Sequence, residues 1–291
     1  MSDKRCCVPR CKESGVIVSK KSADIKSKPI EEILSVPEQS TSSVSNKSAD
    51  ITRKPIEEIL SVPEQSSSSE DNMAIDLYYT PSSAPCRVVL LVAAALNIQL
   101  NPHVVNLRGG EQLQPEFLKL NPQHTVPTIV DDGFSLWESR AISRYLVNTY
   151  GVDSSLYPTD PKVRALVDQR LDFDIGTLYP RFAEYFYPQI FAGASADKAL
   201  HGKLQEGLKF LNTFLEGNKY AAGNELTLAD LSLVATVSTI DAAGISLHEY
   251  PNVERWFELV KKTAPDYEEA NGRGIQVFKA MVKNLLPRSE L

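Results

Sequence analysis

The sequence predicts a small α/β domain followed by an all-α helical domain, both behind a disordered N-terminal tail. Three observations predict this. Ahead of Tyr78 there is no aromatic residue, and serine, lysine and glutamate dominate. From Ala74 to Tyr150, short apolar runs alternate with segments of helical period. From Pro161 onward the apolar period is helical throughout.

The tail comes first. Residues 1–73 cannot bury enough apolar area to offset their ordering entropy, so they are expected to be disordered. Within them the segment 21–43 recurs as 47–69, each copy carrying Pro-Ile-Glu-Glu-Ile-Leu. Two copies are too few for a solenoid, and a helix this short is marginal in water. The duplication is either a tolerated linker or a tandem docking motif for an unknown partner, strengthened by linkage. Met73 stands where the foldable region begins, so a shorter product could start there.

Composition narrows the function classes. At 291 residues the chain is long enough for two ordinary domains, and 42% apolar with 23% charged residues is a globular balance. A net charge of −6 leaves no footprint for nucleic acid, and no basic helical stripe suggests a membrane surface. The longest apolar run, Val88 to Leu96, falls far short of the roughly 20 residues that span a bilayer. Met1 to Cys7 has no apolar signal region, so a cytoplasmic location is expected. Cys6, Cys7 and Cys11 crowd the N-terminus and only Cys86 falls in the foldable part, so no disulfide framework holds it. Cys-Cys-x3-Cys lacks the paired spacing and histidines of a zinc site, and no metal is expected.

The α/β domain is placed at 74–152. Ala74–Tyr79 reads as a strand, and a helix opens near Pro85, with Val88, Leu91, Val92 and Ala95 at helical spacing. The intervening turn brings Ser82 and Ser83 to the positive end of that helix, where an anion is welcome. His103–Leu107 reads as a second strand, parallel to the first because a helix joins them. Pro115–Leu120 forms a brief helix. Thr128–Val130 and Phe134–Trp137 form a hairpin about Asp131-Asp132-Gly133. A helix over 139–150 closes a βαβαββα order, the thioredoxin-like plan.

Gly151 to Pro161 reads as a linker, and the helical domain is placed at 161–287. Its expected helices run from Lys162 to Tyr179, ending near Pro180, then through Arg181–Gln189 and Asp197–Glu216. Thr227 and Asp230 form a capping box, which makes Asp230 structural. The helix behind it is apolar nearly all round and therefore central. Helices at Pro251–Lys262 and Gly274–Leu285 complete the bundle.

Four motifs then make a specific resemblance. Ser-Ala-Pro-Cys-Arg (83–87), Asn-Pro-Gln-His-Thr-Val-Pro-Thr (121–128), Leu-Trp-Glu-Ser-Arg-Ala-Ile (136–142) and Leu-Ala-Asp (228–230) resemble an insect cytosolic glutathione transferase. The delta class is the better match and the epsilon class the next. The resemblance spans about residues 74–285 and leaves out the tail.

It implies conjugation of the glutathione thiolate to hydrophobic electrophiles, a detoxification reaction. Glutathione would be a co-substrate, no cofactor would be needed, and the protein would be a homodimer. Ser83 stands where the first cysteine of a Cys-x-Pro-Cys turn would be, and the resemblance makes it the residue that stabilises the thiolate. A capping serine is its ordinary alternative; Tyr78 or Tyr79, at the end of the first strand, is a rival. His124 would approach the glycine end of glutathione. The backbone of Val126, before an expected cis Pro127, would pair with the cysteinyl backbone. Glu138, Ser139 and Arg140 at a helix start would take the γ-glutamyl end. Gln112 stands where the family often has histidine, which puts full glutathione affinity in doubt. Of the aromatic cluster 179–191, Tyr179, Phe182, Tyr187 and Phe191 would line the pocket for the hydrophobic co-substrate. A thiol–disulfide oxidoreductase, which would need cysteine at position 83, and a non-catalytic ligand binder are the readings from other classes.

Overall fold

A computed structural model describes residues 74–151 and 155–285. The expected disordered tail, its duplication, Cys6, Cys7, Cys11 and part of the expected linker lie outside the described residues.

The first domain runs β1 (Ile75–Tyr79), α1 (Ala84–Leu96), β2 (Leu100–Val104), α2 (Pro115–Leu120), β3 (Thr128–Asp131), β4 (Phe134–Trp137) and α3 (Ser139–Tyr150), with a 3-10 turn at Glu111–Leu113. The sheet order is β2-β1-β3-β4. β1 and β2 are parallel, and the other two pairings are antiparallel. This is the thioredoxin-like plan, with α1 and α3 packed together.

The second strand lies earlier than the expected His103–Leu107. Its register pairs Ile75 with Leu100 and Tyr79 with Val104. Pro102 falls inside it and is tolerated because β2 is an edge strand. The chain leaves the ladder just past Val104, with the Val105 N–H on the Tyr79 carbonyl at 2.8 Å.

The second domain comprises α4 (Pro161–Phe173), α5 (Tyr179–Ala192), α6 (Lys198–Phe214), α7 (Leu228–Ala242), α8 (Pro251–Thr263) and α9 (Arg273–Leu285). Pro180 does not end the helical path. A π turn over Asp174–Leu178 widens the coil, and the Tyr179 N–H reaches back to the Asp174 carbonyl. Pro180 then falls in the first turn of α5, where its missing N–H costs little. A second π turn, Glu268–Gly272, leads into α9.

α7 is the bundle's axis, buried from Leu228 to Ile240. The capping box forms as expected. Asp230 also accepts from the Ala221 N–H at 2.7 Å and from the Trp256 indole at 2.8 Å. Burial, the main influence on Asp230, raises its pKa, and these bonds oppose that. α7 packs on α1 of the first domain, and one apolar core runs through both. That shared core fixes α1, whose first residue follows Ser83, against the helical domain. No helix among the described residues is long and apolar enough to cross a membrane.

Candidate functional site

Ser83 caps α1. Its Oγ accepts from the Cys86 N–H at 3.4 Å, a long bond that leaves the hydroxyl proton free to donate. The turn is pinned by the Ser83 N–H on the Thr80 carbonyl at 3.1 Å and the Arg87 N–H on the Ser83 carbonyl at 3.1 Å. Capping, in which the oxygen accepts, and donation by the same hydroxyl are therefore compatible in one residue. Tyr78, a rival for the same role, stacks on His103 and sits edge-on to Phe117, so strand packing accounts for it.

Cys86 is fully buried, and desolvation pushes its thiol up to about 11, against smaller opposing effects from Ser83, Thr80 and Arg87. A thiol so protonated is a poor nucleophile. Alkylation by iodoacetamide near pH 8 is therefore expected to spare Cys86 in the folded protein and to reach it in denaturant. Peptide mass mapping reads the difference; equal labelling in both states would show that the thiol is open.

The start of α3 supplies a second polar group. Glu138 is exposed with φ 68°, a strained backbone for a residue other than glycine. Ser139 and Arg140 are nearly buried. Arg140 Nη1 donates to Ser139 Oγ at 2.8 Å, and its Nη2 donates to Asp174 Oδ2 in a short bond. Ser232 Oγ donates to the same carboxylate oxygen at 2.6 Å. The Arg140 guanidinium thus lies nearly buried between Ser139 and Asp174. Arg140 Nε, Asp174 Oδ1 and, on α7, Thr236 Oγ1 are buried without partners among the described residues.

The loop between α2 and β3 carries the third group. Asn121 is fully buried and ties the loop by bonds to Thr125 and Thr128, at 3.0 to 3.1 Å. His124 is held at φ 48° with its N–H on the Asn121 carbonyl at 3.0 Å. The Val126–Pro127 peptide is cis. Gln112 lies in the 3-10 turn, with its Oε1 buried and unpartnered.

Of the expected pocket aromatics, Tyr179 and Tyr187 are half-buried, with hydroxyls 3.2 Å apart. Phe191 is exposed, touches Tyr187 and lies beneath the Arg108 guanidinium. Phe182 does not fit the expectation. It has no exposed surface and is wedged between Phe186 and Tyr187, so it belongs to the core. A rim position on α5 and a core position differ by one helical step, which composition does not distinguish.

Comparison with known proteins decides the family. Residues 77–155 match the family model described as "Glutathione S-transferase, N-terminal domain", and residues 166–262 match "Glutathione S-transferase, C-terminal domain". A Nilaparvata lugens delta-class glutathione transferase is similar at 53% identity and TM-score 0.71, over 72% of this chain and 99% of that one. The chain belongs to the glutathione S-transferase family. A housefly (Musca domestica) epsilon-class enzyme is similar at 41% identity and TM-score 0.69, over 73% of this chain and 100% of that one. A Drosophila mojavensis glutathione transferase homolog with bound glutathione is similar at 36% identity and TM-score 0.69, over 73% and 98%.

The protein is a glutathione transferase, and its activity is glutathione conjugation. Two of the transferase's structural devices join residues far apart in the chain: Asp174 with its partners, and the residues around Arg87. Asp174 had a usable signal, since it interrupts the apolar stripe Val167, Leu171, Leu178 at helical spacing.

The transferase also carries a close approach at the Ser83 turn. A Cβ on Gly274 would stand inside van der Waals contact of the Pro81 carbonyl oxygen and the Arg87 side chain. Gly274→Ala is expected to cost about 1–3 kcal/mol of stability by overpacking. It should also lower turnover, because α9 would press on the turn. Thermal unfolding beside kcat checks this; a variant unchanged in both would show that the contact relaxes freely.

Proposed function

We propose that Ser83 stabilises the glutathione thiolate by hydrogen bonding, at the positive end of α1. The free hydroxyl proton on a capped, pinned turn carries this reading. Ser139 and the backbone at the start of α3 take the γ-glutamyl carboxylate, Glu138 pairs its ammonium, and Arg140 holds Ser139 in place. The Val126 backbone takes the cysteinyl segment, while His124 and Gln112 face the glycine end. Tyr179, Tyr187 and Phe191 form the apolar wall for the electrophile.

The substrate class is small hydrophobic electrophiles, in detoxification within the cytoplasm. Higher identity to a delta-class enzyme than to an epsilon-class one favours the delta class. Self-association as a homodimer would cover Phe134, Val163 and Leu166, which stand exposed. The buried, protonated Cys86 and a serine at position 83 speak against disulfide exchange.

The test is conjugation to a chloronitrobenzene by wild type and Ser83→Ala over about pH 6 to 9. A loss concentrated at low pH supports the assignment. An indifferent variant beside an active wild type moves the role to Ser82 or Tyr79.

A further inference from the structure

Four charged side chains are buried among the described residues: Arg87, Arg140, Asp174 and Asp230. Arg140 and Asp174 pair with each other, and Asp230 is held by N–H and hydroxyl donors. Arg87 is different. Its guanidinium has no exposed surface, and its bonds go only to neutral groups: Asn271 Oδ1 at 2.7 Å, Thr239 Oγ1 at 2.5 Å and Ser238 Oγ at 3.4 Å. Its Nε is buried with no partner. Among the described residues it has no carboxylate partner.

Such a group is costly, because buried charges are ordinarily paired. Burial accordingly pulls Arg87 down to about 10, while the tyrosines and the cysteine around it favour its charge; it remains a cation at neutral pH. The groups facing it are Cys86 on α1, Tyr179 and Tyr187 on α5, and Tyr267 before the second π turn. All four are pushed upward by burial and are neutral near pH 7. α7 contributes only hydroxyls. Glu268 and Glu269 of the π turn are exposed, and Glu269 pairs with Arg273. The other buried arginine, Arg140, is matched by Asp174. The field of Arg87 is therefore not cancelled locally.

Arg87 lies four residues after Ser83, about 6 Å of helix rise, and its N–H bonds the Ser83 carbonyl. We propose that the buried Arg87 guanidinium is an uncompensated positive charge that favours the thiolate of glutathione at Ser83, a positioning residue that acts through its field without touching the sulfur. This rests on the Ser83 reading above. On ionisation the sulfur keeps the S–H electron pair and the proton goes to solvent water. Glutathione thereby supplies the anion that the fold itself withholds from Arg87. A unit charge about 10 Å away, at an effective dielectric of about 20, shifts a titration by about one pH unit.

The test is the ultraviolet difference absorbance of the bound glutathione thiolate, titrated with the full chain. Wild type is set beside Arg87→Lys, Arg87→Met, Asn271→Asp and Ser83→Ala. Arg87→Met is expected to raise the thiolate midpoint by about 0.5–1 unit, three- to tenfold less thiolate at low pH; Arg87→Lys keeps most of the wild-type value. Asn271→Asp keeps the guanidinium, the shape and the bond accepted from Arg87, adds the missing counter-charge, and replaces the two bonds that Asn271 Nδ2 donates to Ser238 Oγ and the Tyr267 hydroxyl by an oxygen that can only accept. It is expected to raise the midpoint although Arg87 gains a charged acceptor, the reverse of what a purely structural role for a well-held Arg87 predicts. It also carries the test if Arg87→Met fails to fold. The inference is overturned if Asn271→Asp and any folded Arg87→Met keep the wild-type midpoint while Ser83→Ala raises it. If bound glutathione titrates like free glutathione in wild type, the Ser83 reading falls first and this inference with it.

Discussion

Ser83→Ala is expected to lower glutathione conjugation about 10- to 30-fold near neutral pH, with the deficit shrinking as pH approaches about 9. The magnitude follows from the thiol. At a pKa of about 8.5, only a few per cent is thiolate at pH 7, so full ionisation raises the reactive form by about thirtyfold. A lowering of about two units needs about 2.7 kcal/mol of preference for the anion. A hydroxyl bond to a charged group supplies about 1.5–3 kcal/mol, and the start of α1 about 0.3–1 more. The sign is set by the anion. A depressed thiol pKa helps most below the free value and is worthless above it, so the wild-type advantage must fade as pH rises. Part of the gain is returned because a less basic thiolate is a weaker nucleophile. A ratio of wild type to variant that stays constant across the pH range would mean that Ser83 positions substrate without ionising it.

Asp174→Ala is expected to destabilise the protein by about 3–5 kcal/mol, because Arg140 would be left buried and unpaired. Against a typical total of about 5–15 kcal/mol that is a large share. The same change frees Ser139, which Arg140 holds at 2.8 Å. The KM for glutathione should therefore rise about tenfold or more, by loss of a bond to a charged group, while the KM for the electrophile moves little. Asp174→Asn, which preserves shape and an acceptor for Ser232, is expected to fall between wild type and alanine in both readouts. Denaturant unfolding and glutathione saturation curves decide it. Wild-type stability together with a wild-type KM in the alanine variant would show that the pair neither holds the fold nor orients the site.

The two substitutions differ in how readable their targets are. Ser83 was visible because a turn, a proline and a helix start are local features, and its neighbours in sequence are its neighbours in space. Asp174 lies on a different domain from Ser139, and its partner on α7 is 58 residues away. The Arg87 cluster spans 184 residues between Arg87 and Asn271. No window along the chain contains such a contact. Local pattern puts β2 too late for a related reason, since its register is decided by β1 and Pro102 is acceptable only because the strand is an edge. Likewise, Pro180 marks a helix end by local rules, and the π turn before it removes the conflict. Phe182 and Phe191 share composition and helix, and only packing puts one in the core and the other at the rim.

By itself, then, the sequence determined the thioredoxin-like plan, the helical bundle, the capped Ser83 turn and the structural role of Asp230. All of these rest on short-range periodicity, turn chemistry and capping, which act over a few residues. Only the tertiary structure decided that Arg140 pairs with Asp174, that Phe182 is core, and that Arg87 is buried without a carboxylate partner among the described residues. The reason is physical: pairing and desolvation of a charge depend on what distant segments bring beside it, and the chain specifies that only by folding.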